Sequence, residues 1–149
     1  ARDGRKAFLF TLDFTEHQAR KHLGSLDASG GNLSKDVRIF TSDEISAEYI
    51  IQRMSGLARG AIAVIDFLQL LDQQRSKPIL SEQLQALRGF AKHTGVVLGF
   101  ISQIDRSFET DGKRLPDIGD VRLPNFVDLG LFSKACFLHN GEAQLQDVA

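Results

Sequence analysis

The chain of 149 residues has little cysteine, proline or tryptophan: one cysteine, three prolines and no tryptophan. A single cysteine, Cys136, excludes a disulfide within the chain, which is typical of the reducing cytosol, so we expect a cytoplasmic protein. We expect Cys136, in the apolar segment KACFL, to be a small buried side chain. No apolar run reaches the ~18–20 residues that span a bilayer, and no signal peptide is visible, so we expect no membrane partner.

The chain also lacks an excess of charge of either sign, since its formal net charge is −1 and its pI is about 6.5. Nothing global therefore attracts nucleic acid, and any such affinity must come from a local patch. Its hydrophobic fraction of 42% and charged fraction of 25% are ordinary for a globular protein. The length is sufficient for one domain with a real core.

Strand-like and helix-like segments alternate along the chain. Thr15 and Gln18 have capping-box spacing, and Gly95 follows an apolar helical stripe. Strands are predicted at 7–12, 37–40 and 96–101 and around Asp66, with helices at 15–26, 44–57 and 80–91 and a loop at 24–32.

The last third of the chain has a different character. Residues 104–126 are polar, contain two of the prolines and show no firm periodicity, which is typical of a functional or mobile loop. Asn140-Gly141 between two apolar runs predicts a hairpin with strands at 134–139 and 142–148. The sum predicts an α/β fold: a mostly parallel sheet flanked by helices, with a C-terminal antiparallel hairpin.

Asp66 is the single carboxylate in the apolar run AIAVIDFLQLL. Such a run suits a strand of a buried parallel sheet. Burying a neutral polar group there without a partner costs about 2–7 kcal/mol, and burying an unpaired charge costs more. We therefore expect Asp66 at the carboxyl end of the strand, where open α/β sheets bind their ligands.

Two other polar residues follow predicted strands: Asp13 after AFLFTL, and Gln103 after VVLGFIS. Adjacent parallel strands would place all three at one edge of the sheet. There, Asp66 could hold Mg²⁺ through water, and a second carboxylate could orient or deprotonate a water molecule. A glutamine amide could contact a terminal phosphate, because it both donates and accepts hydrogen bonds. The structural alternative, an isolated acid at the end of an apolar strand, is common and stays open.

These motifs resemble the ATPase domain of the DnaB-type replicative helicases, which has a RecA-like core. Residues 63–70, AVIDFLQL, are similar to that family's Walker B strand, and 102–109, SQIDRSFE, to its SQLNRSLE segment. FTLDF at 10–14 is similar to FSLEM, and DVR at 120–122 to DLR. The matches are collinear over about three quarters of the chain.

The resemblance implies a single RecA-like ATPase-type domain over residues 1–149 that binds ATP and Mg²⁺ and moves single-stranded DNA as a homo-oligomeric ring or filament. Asp66 would be the Mg²⁺-holding aspartate, Asp13 would stand at the catalytic glutamate's position, and Gln103 would couple the γ-phosphate to a DNA-facing loop. That loop contributes four candidate DNA-binding cations, of which two lie in matched motifs: Arg106 and Arg122, then Lys113 and Arg114. Five acidic residues in the same segment leave no net positive patch, so a solvated mixed loop stays open.

Three departures keep an alternative open. The sequence contains no GxxxxGK[ST] phosphate-binding loop, which in the family lies just upstream of the part represented here, so we expect a domain truncated before Ala1. Asp13 is one methylene shorter than glutamate, and the family's arginine-finger segment is not reached. The alternative is a degenerate, non-catalytic relative that acts as a DNA-binding or protein-interaction module.

Overall fold

The structure is a computed structural model that describes residues 5–26, 37–72, 77–110, 112–122, 125 and 127–148. Most of the loop predicted at 24–32 lies outside these ranges, as do parts of the segment 104–126.

Four parallel strands form the main sheet of the described residues: β1 (Ala7–Thr11), β2 (Val37–Phe40), β3 (Ile62–Asp66) and β4 (Val97–Ile101). Their spatial order is β2-β1-β3-β4. The predicted strands and their parallel arrangement are confirmed. Because β3 lies between β1 and β4, the carboxyl ends of these three strands are neighbours along one edge of the sheet.

The helices begin and end at residues that satisfy their terminal backbone groups. Helix α1 (Glu16–Ser25) has the predicted capping box, in which Gln18 N donates to Thr15 Oγ1 at 3.3 Å and Thr15 N donates to Gln18 Oε1 at 2.9 Å. Helix α2 (Ala47–Met54) is shorter than predicted, because the Ser46 side chain caps its first turn. Helix α3 (Leu80–Thr94) ends at Gly95, which has a left-handed φ of 74°.

The helices cover both faces of the sheet, as predicted. On one face, Ala19 of α1 packs with Val37 and Ile39 of β2. The larger cluster lies on the other face, where α2 and α3 cover the central strands; its buried members include Phe8, Phe10, Ile50, Met54, Ile65, Leu84 and Leu87. This cluster anchors β1 and β3, which carry two of the predicted site residues at their ends.

The apolar run around Asp66 divides into two elements. Strand β3 ends at Asp66, and the chain then forms a 3-10 helix, Leu68–Asp72, whose first four side chains are buried. Asp66 is therefore at the end of its strand, as predicted. The apolar residues after it do not extend the strand, because Leu68, Leu70 and Leu71 are buried in the larger core cluster. The peptide bond between Asp66 and Phe67 is cis.

The polar segment predicted as a loop over 104–126 contains short ordered elements. These are helix α4 (Ser107–Thr110), a 3-10 turn at Ile118–Asp120 and an antiparallel bridge between Ile104 and Val121. The loop prediction is thus too coarse, because local side-chain caps supply order that hydrophobic periodicity does not register.

The predicted hairpin is confirmed as β5 (Lys134–His139) and β6 (Glu142–Asp147), with positive φ at Asn140 and Gly141. Within the described residues it forms its own two-stranded sheet. The expectation for Cys136 is wrong: its side chain is exposed, because it lies on the open face of this ribbon with Leu138 and Leu145. No helix in the described ranges is long and apolar enough to cross a membrane.

Candidate functional site

The three predicted site residues lie at one edge of the main sheet. In the sheet register, Thr11 of β1 pairs with Asp66 of β3, and Asp66 pairs with Ile101 of β4. Asp13 follows two residues after Thr11, and Gln103 follows two residues after Ile101. This position outside the carboxyl ends of parallel strands is the usual ligand position in open α/β sheets.

Thr11 connects the two acidic residues. Its side chain is completely buried, and its Oγ1 donates to Asp66 Oδ2 at 3.4 Å while accepting from Asp13 N at 3.1 Å. One hydroxyl therefore orients the Asp66 carboxylate and fixes the start of the turn that carries Asp13. Sequence reasoning missed this role, because a threonine at the end of an apolar strand is also an ordinary strand residue.

The electrostatics of Asp66 are those of a partly desolvated acid beside a like charge. Burial raises the pKa of the Asp66 carboxyl above its usual value, and the negative charge of Asp13 raises it further. The hydrogen bond from Thr11 opposes both effects by lowering the pKa. Asp13 itself is exposed. The two carboxylates are thus close enough to repel one another, and a cation placed between them would relieve that repulsion.

Gln103 is joined to Arg122, which comes from the second matched motif of the 104–126 segment. Arg122 Nη1 donates to Gln103 Oε1 at 3.3 Å, and Arg122 N donates to the Gln103 carbonyl at 2.9 Å. Asp105 N donates to the Asp120 carbonyl at 2.7 Å, next to the Ile104–Val121 bridge. The segments after β4 and around Arg122 therefore form a short antiparallel pair directly after the strand ends.

Gln69, in the 3-10 helix after Asp66, also belongs to this site. Its Nε2 donates to Ser102 Oγ at 3.2 Å and to the Arg122 carbonyl at 2.5 Å. Sequence reasoning did not single it out. The available signal was a polar side chain inside the apolar run LQLL, where an unpaired amide would be costly to bury.

The four candidate DNA-binding cations are in different environments. Lys113 Nζ lies 3.1 Å from Asp117 Oδ2 and 3.0 Å from Asp120 Oδ1, and these hydrogen bonds raise the pKa of Lys113. Arg114 makes a forked contact with Glu142 of β6, in which its Nη2 lies 2.7 Å from Oε1.

Arg106 is exposed at the start of the turn leading into α4, and Arg122 is held against Gln103. The site thus brings Arg122 together with Gln103, whereas Lys113 and Arg114 are engaged by acids elsewhere in the segment and in the hairpin.

No group of three or more His, Cys, Asp or Glu side chains in the described ranges could hold a metal ion by itself. Among the described residues at this edge, the carboxylates are those of Asp66 and Asp13. Two carboxylates could hold a hard cation that keeps most of its water.

The sequence matches no protein-family profile and no curated protein. Solved structures do share its fold. A structure described as that of a DnaB-like replicative helicase and its interactions with primase has a TM-score of 0.65 and 21% identity, covering 81% of this chain and 37% of that one. A second solved structure, described as an ATPase domain, has a TM-score of 0.61 and 17% identity, covering 81% of this chain and 55% of that one.

The chain therefore spans less than two thirds of the length of either structure. The likeness lies in the fold, and it agrees with the parallel sheet, the helices on both faces and the terminal hairpin. The chain therefore has the α/β fold of these two solved structures, and the predicted fold class is confirmed.

Proposed function

We propose that this chain is part of the nucleotide-hydrolysing domain of a DNA helicase-related protein, which couples ATP hydrolysis to movement along single-stranded DNA. The observation that carries the proposal is the adjacency of Asp13, Asp66 and Gln103 at the carboxyl ends of three neighbouring strands. The likeness to DnaB-type structures supports it by fold alone.

In this proposal, Asp66 would hold the Mg²⁺ of bound ATP through water, and the ion would neutralise charge on the phosphates. Mg²⁺ commonly binds through one or two carboxylates plus substrate phosphates, which fits the small donor set at this edge. The raised pKa of Asp66 has the sense expected of a carboxylate that lacks a compensating positive charge.

Asp13 is the candidate for orienting or deprotonating the attacking water. It is exposed at the strand end, and its backbone is fixed by Thr11. Gln103 is the candidate for contacting the terminal phosphate, since its amide NH₂ can donate while its Oε1 accepts from Arg122.

Arg106 and Arg122 are the first candidates for DNA contact. Lys113 and Arg114 would first have to leave their acidic partners. For Arg114 the cost of leaving is modest, because water and salt screen its ion pair with Glu142 at the protein surface. For Lys113 the cost is larger, because the carboxylate of its partner Asp120 is buried.

A phosphate-binding loop is also required, and β4 offers a position for the strand that would carry it. Among the described residues, the second edge of β4 pairs with no strand, although its sequence VLGFI is apolar. Val97 and Ile101 are 50% and 51% exposed. Long apolar edges are normally covered or protected by charge, so we infer that a further strand covers this edge in the complete protein.

The test is ATP hydrolysis by the complete protein, with and without single-stranded DNA. Asp66→Ala is expected to abolish DNA-stimulated turnover, whereas the control Asp147→Ala, which removes an exposed carboxylate from β6, is expected to leave it intact. Hydrolysis that is indifferent to Asp66→Ala would overturn the metal role. No turnover in the wild-type protein, with DNA binding retained, would favour the non-catalytic alternative. Size measurement with and without ATP tests the proposed ring or filament.

A further inference from the structure

Gln69 is a buried polar side chain that bridges three separate parts of the site. Only 8% of it is exposed, and it lies in the 3-10 helix that follows Asp66. Its amide nitrogen reaches Ser102 after β4 and the carbonyl of Arg122. These partners are 33 and 53 residues away in sequence, so one side chain joins segments that local structure alone would not hold together.

The two hydrogen bonds from Gln69 are part of a closed network around Gln103. Ser102 Oγ, which accepts from Gln69, is 3.4 Å from the Gln103 carbonyl and donates to it. Arg122, whose carbonyl accepts from Gln69, donates from its own backbone N to the same Gln103 carbonyl. Removing the Gln69 amide would therefore take away one hydrogen bond on each side of the Gln103 carbonyl, one at Ser102 and one at Arg122.

The Gln69 amide is only half used. Its Oε1 is buried and has no hydrogen-bond partner among the described residues. A buried network with an unsatisfied acceptor is less costly to leave than a fully bonded one. The contacts of Gln69 with this network are therefore the two hydrogen bonds that its amide nitrogen donates.

We propose that Gln69 is a positioning residue that holds Gln103 and Arg122 in register with Asp66, and so couples the phosphate end of the site to the segment carrying Arg106 and Arg122. This inference rests on the proposed function for its catalytic meaning. Its structural content, a dependence of the Gln103–Arg122 contact on Gln69, stands apart from catalysis.

The structural content is tested by amide hydrogen exchange in the full chain. Exchange at the Asp105 and Arg122 amides, which donate to Asp120 and Gln103, is expected to become about tenfold faster in Gln69→Leu relative to the β3 amides. The matched control is Gln83→Leu. Gln83 is also buried, but its amide bonds Ala47, Leu71 and Pro78 instead, so the ratio is expected to stay unchanged.

An unchanged ratio in Gln69→Leu, or an equal change in both variants, would overturn the positioning role. If Gln69→Leu does not fold, Ser102→Ala decides the matter. It removes one acceptor of the Gln69 amide and is expected to shift the ratio in the same direction by a smaller factor.

The functional arm measures the ratio of DNA-stimulated to unstimulated ATP turnover in the complete protein. Gln69→Leu is expected to lower this ratio several-fold, whereas Gln83→Leu is expected to preserve it even if the fold is less stable. An equal ratio in both variants would refute the coupling. A wild-type protein without any turnover would refute the proposed function, while the exchange experiment would still decide the position of Gln69.

Discussion

Thr11→Val replaces a buried hydroxyl by a methyl group of nearly the same size, and so removes the connection between Asp13 and Asp66. The hydrogen bond from Asp13 N, 3.1 Å long, contributes about 0.5–1.5 kcal/mol net. The contact with Asp66 is 3.4 Å long, beyond the usual O–H···O range of about 2.5–3.0 Å. Its contribution to the free energy of unfolding is therefore at the lower end of the range given for the first hydrogen bond. We expect a loss of about 1–2 kcal/mol in the free energy of unfolding, which lowers Tm by roughly 2–8 °C for a chain of this size.

The same variant makes a signed prediction about pH. The Thr11 hydroxyl lowers the pKa of Asp66, so Thr11→Val is expected to raise that pKa further. Below the unfolded-state pKa of about 3.9, Asp66 is protonated in both states and the hydroxyl contributes less. The destabilisation should therefore be larger at pH 7 than near pH 3.

Thermal unfolding at both pH values and the ¹³C carboxyl titration of Asp66 together test this reasoning. Thr11→Ser is the control: it retains the hydroxyl and loses a methyl, so its cost should be independent of pH. An equal cost of Thr11→Val at the two pH values, or an Asp66 pKa that does not rise, would refute the assigned hydrogen bond.

Three other predictions concern stability. The folded-state pKa of Asp66 lies above its unfolded value, so the protein loses stability as the pH rises between these two pKa values and Asp66 ionises. The Tm of Asp66→Asn should therefore be higher than that of wild type at pH 7, and the two Tm values should converge below about pH 4. Asp120 is 5% exposed and bonds Lys113 and Asp117 N, so Asp120→Ala should cost about 1–3 kcal/mol locally and accelerate proteolysis within residues 113–122. Gly141 has a φ of 80°, so Gly141→Ala should cost about 1–2 kcal/mol and speed amide exchange in β5 and β6.

The strand and helix order could be predicted because the local signals and the tertiary arrangement agree. The apolar run before Asp66, the Thr15–Gln18 capping box and the Asn140-Gly141 turn each specify one conformation by themselves. Parallel connections then place the carboxyl ends of the strands at one edge of the sheet, whereas the order of the strands comes from the structure. The position of Asp13 and Asp66 at a common edge therefore needed no knowledge of side-chain packing.

The remaining features depend on partners that are distant in sequence. Gln69 is important because Ser102 and the Arg122 carbonyl come to it, and no pattern around residue 69 identifies them. The burial expected for Cys136 is wrong, because an alternating strand buries only one face and its sequence does not say which face is covered. The ordered turns in 104–126 arise from side-chain caps such as Asp117, which periodicity does not detect.

The described residues supply one part of the site that the proposed function requires. The hydrogen bonds that position these side chains come from within this chain. Thr11 positions Asp66 and Asp13, while Gln69 and Arg122 position Gln103. This part of the site therefore does not depend on a phosphate-binding loop for its geometry. The Asp13 and Asp66 carboxylates repel one another, and the pKa of Asp66 is raised by burial and by Asp13. In the proposed function, a nucleotide with its cation would relieve this repulsion, and a loop of the GxxxxGK[ST] kind would hold its phosphates. In the proposed function, such a loop would therefore supply phosphate binding, while the described residues supply Asp66, Asp13 and Gln103.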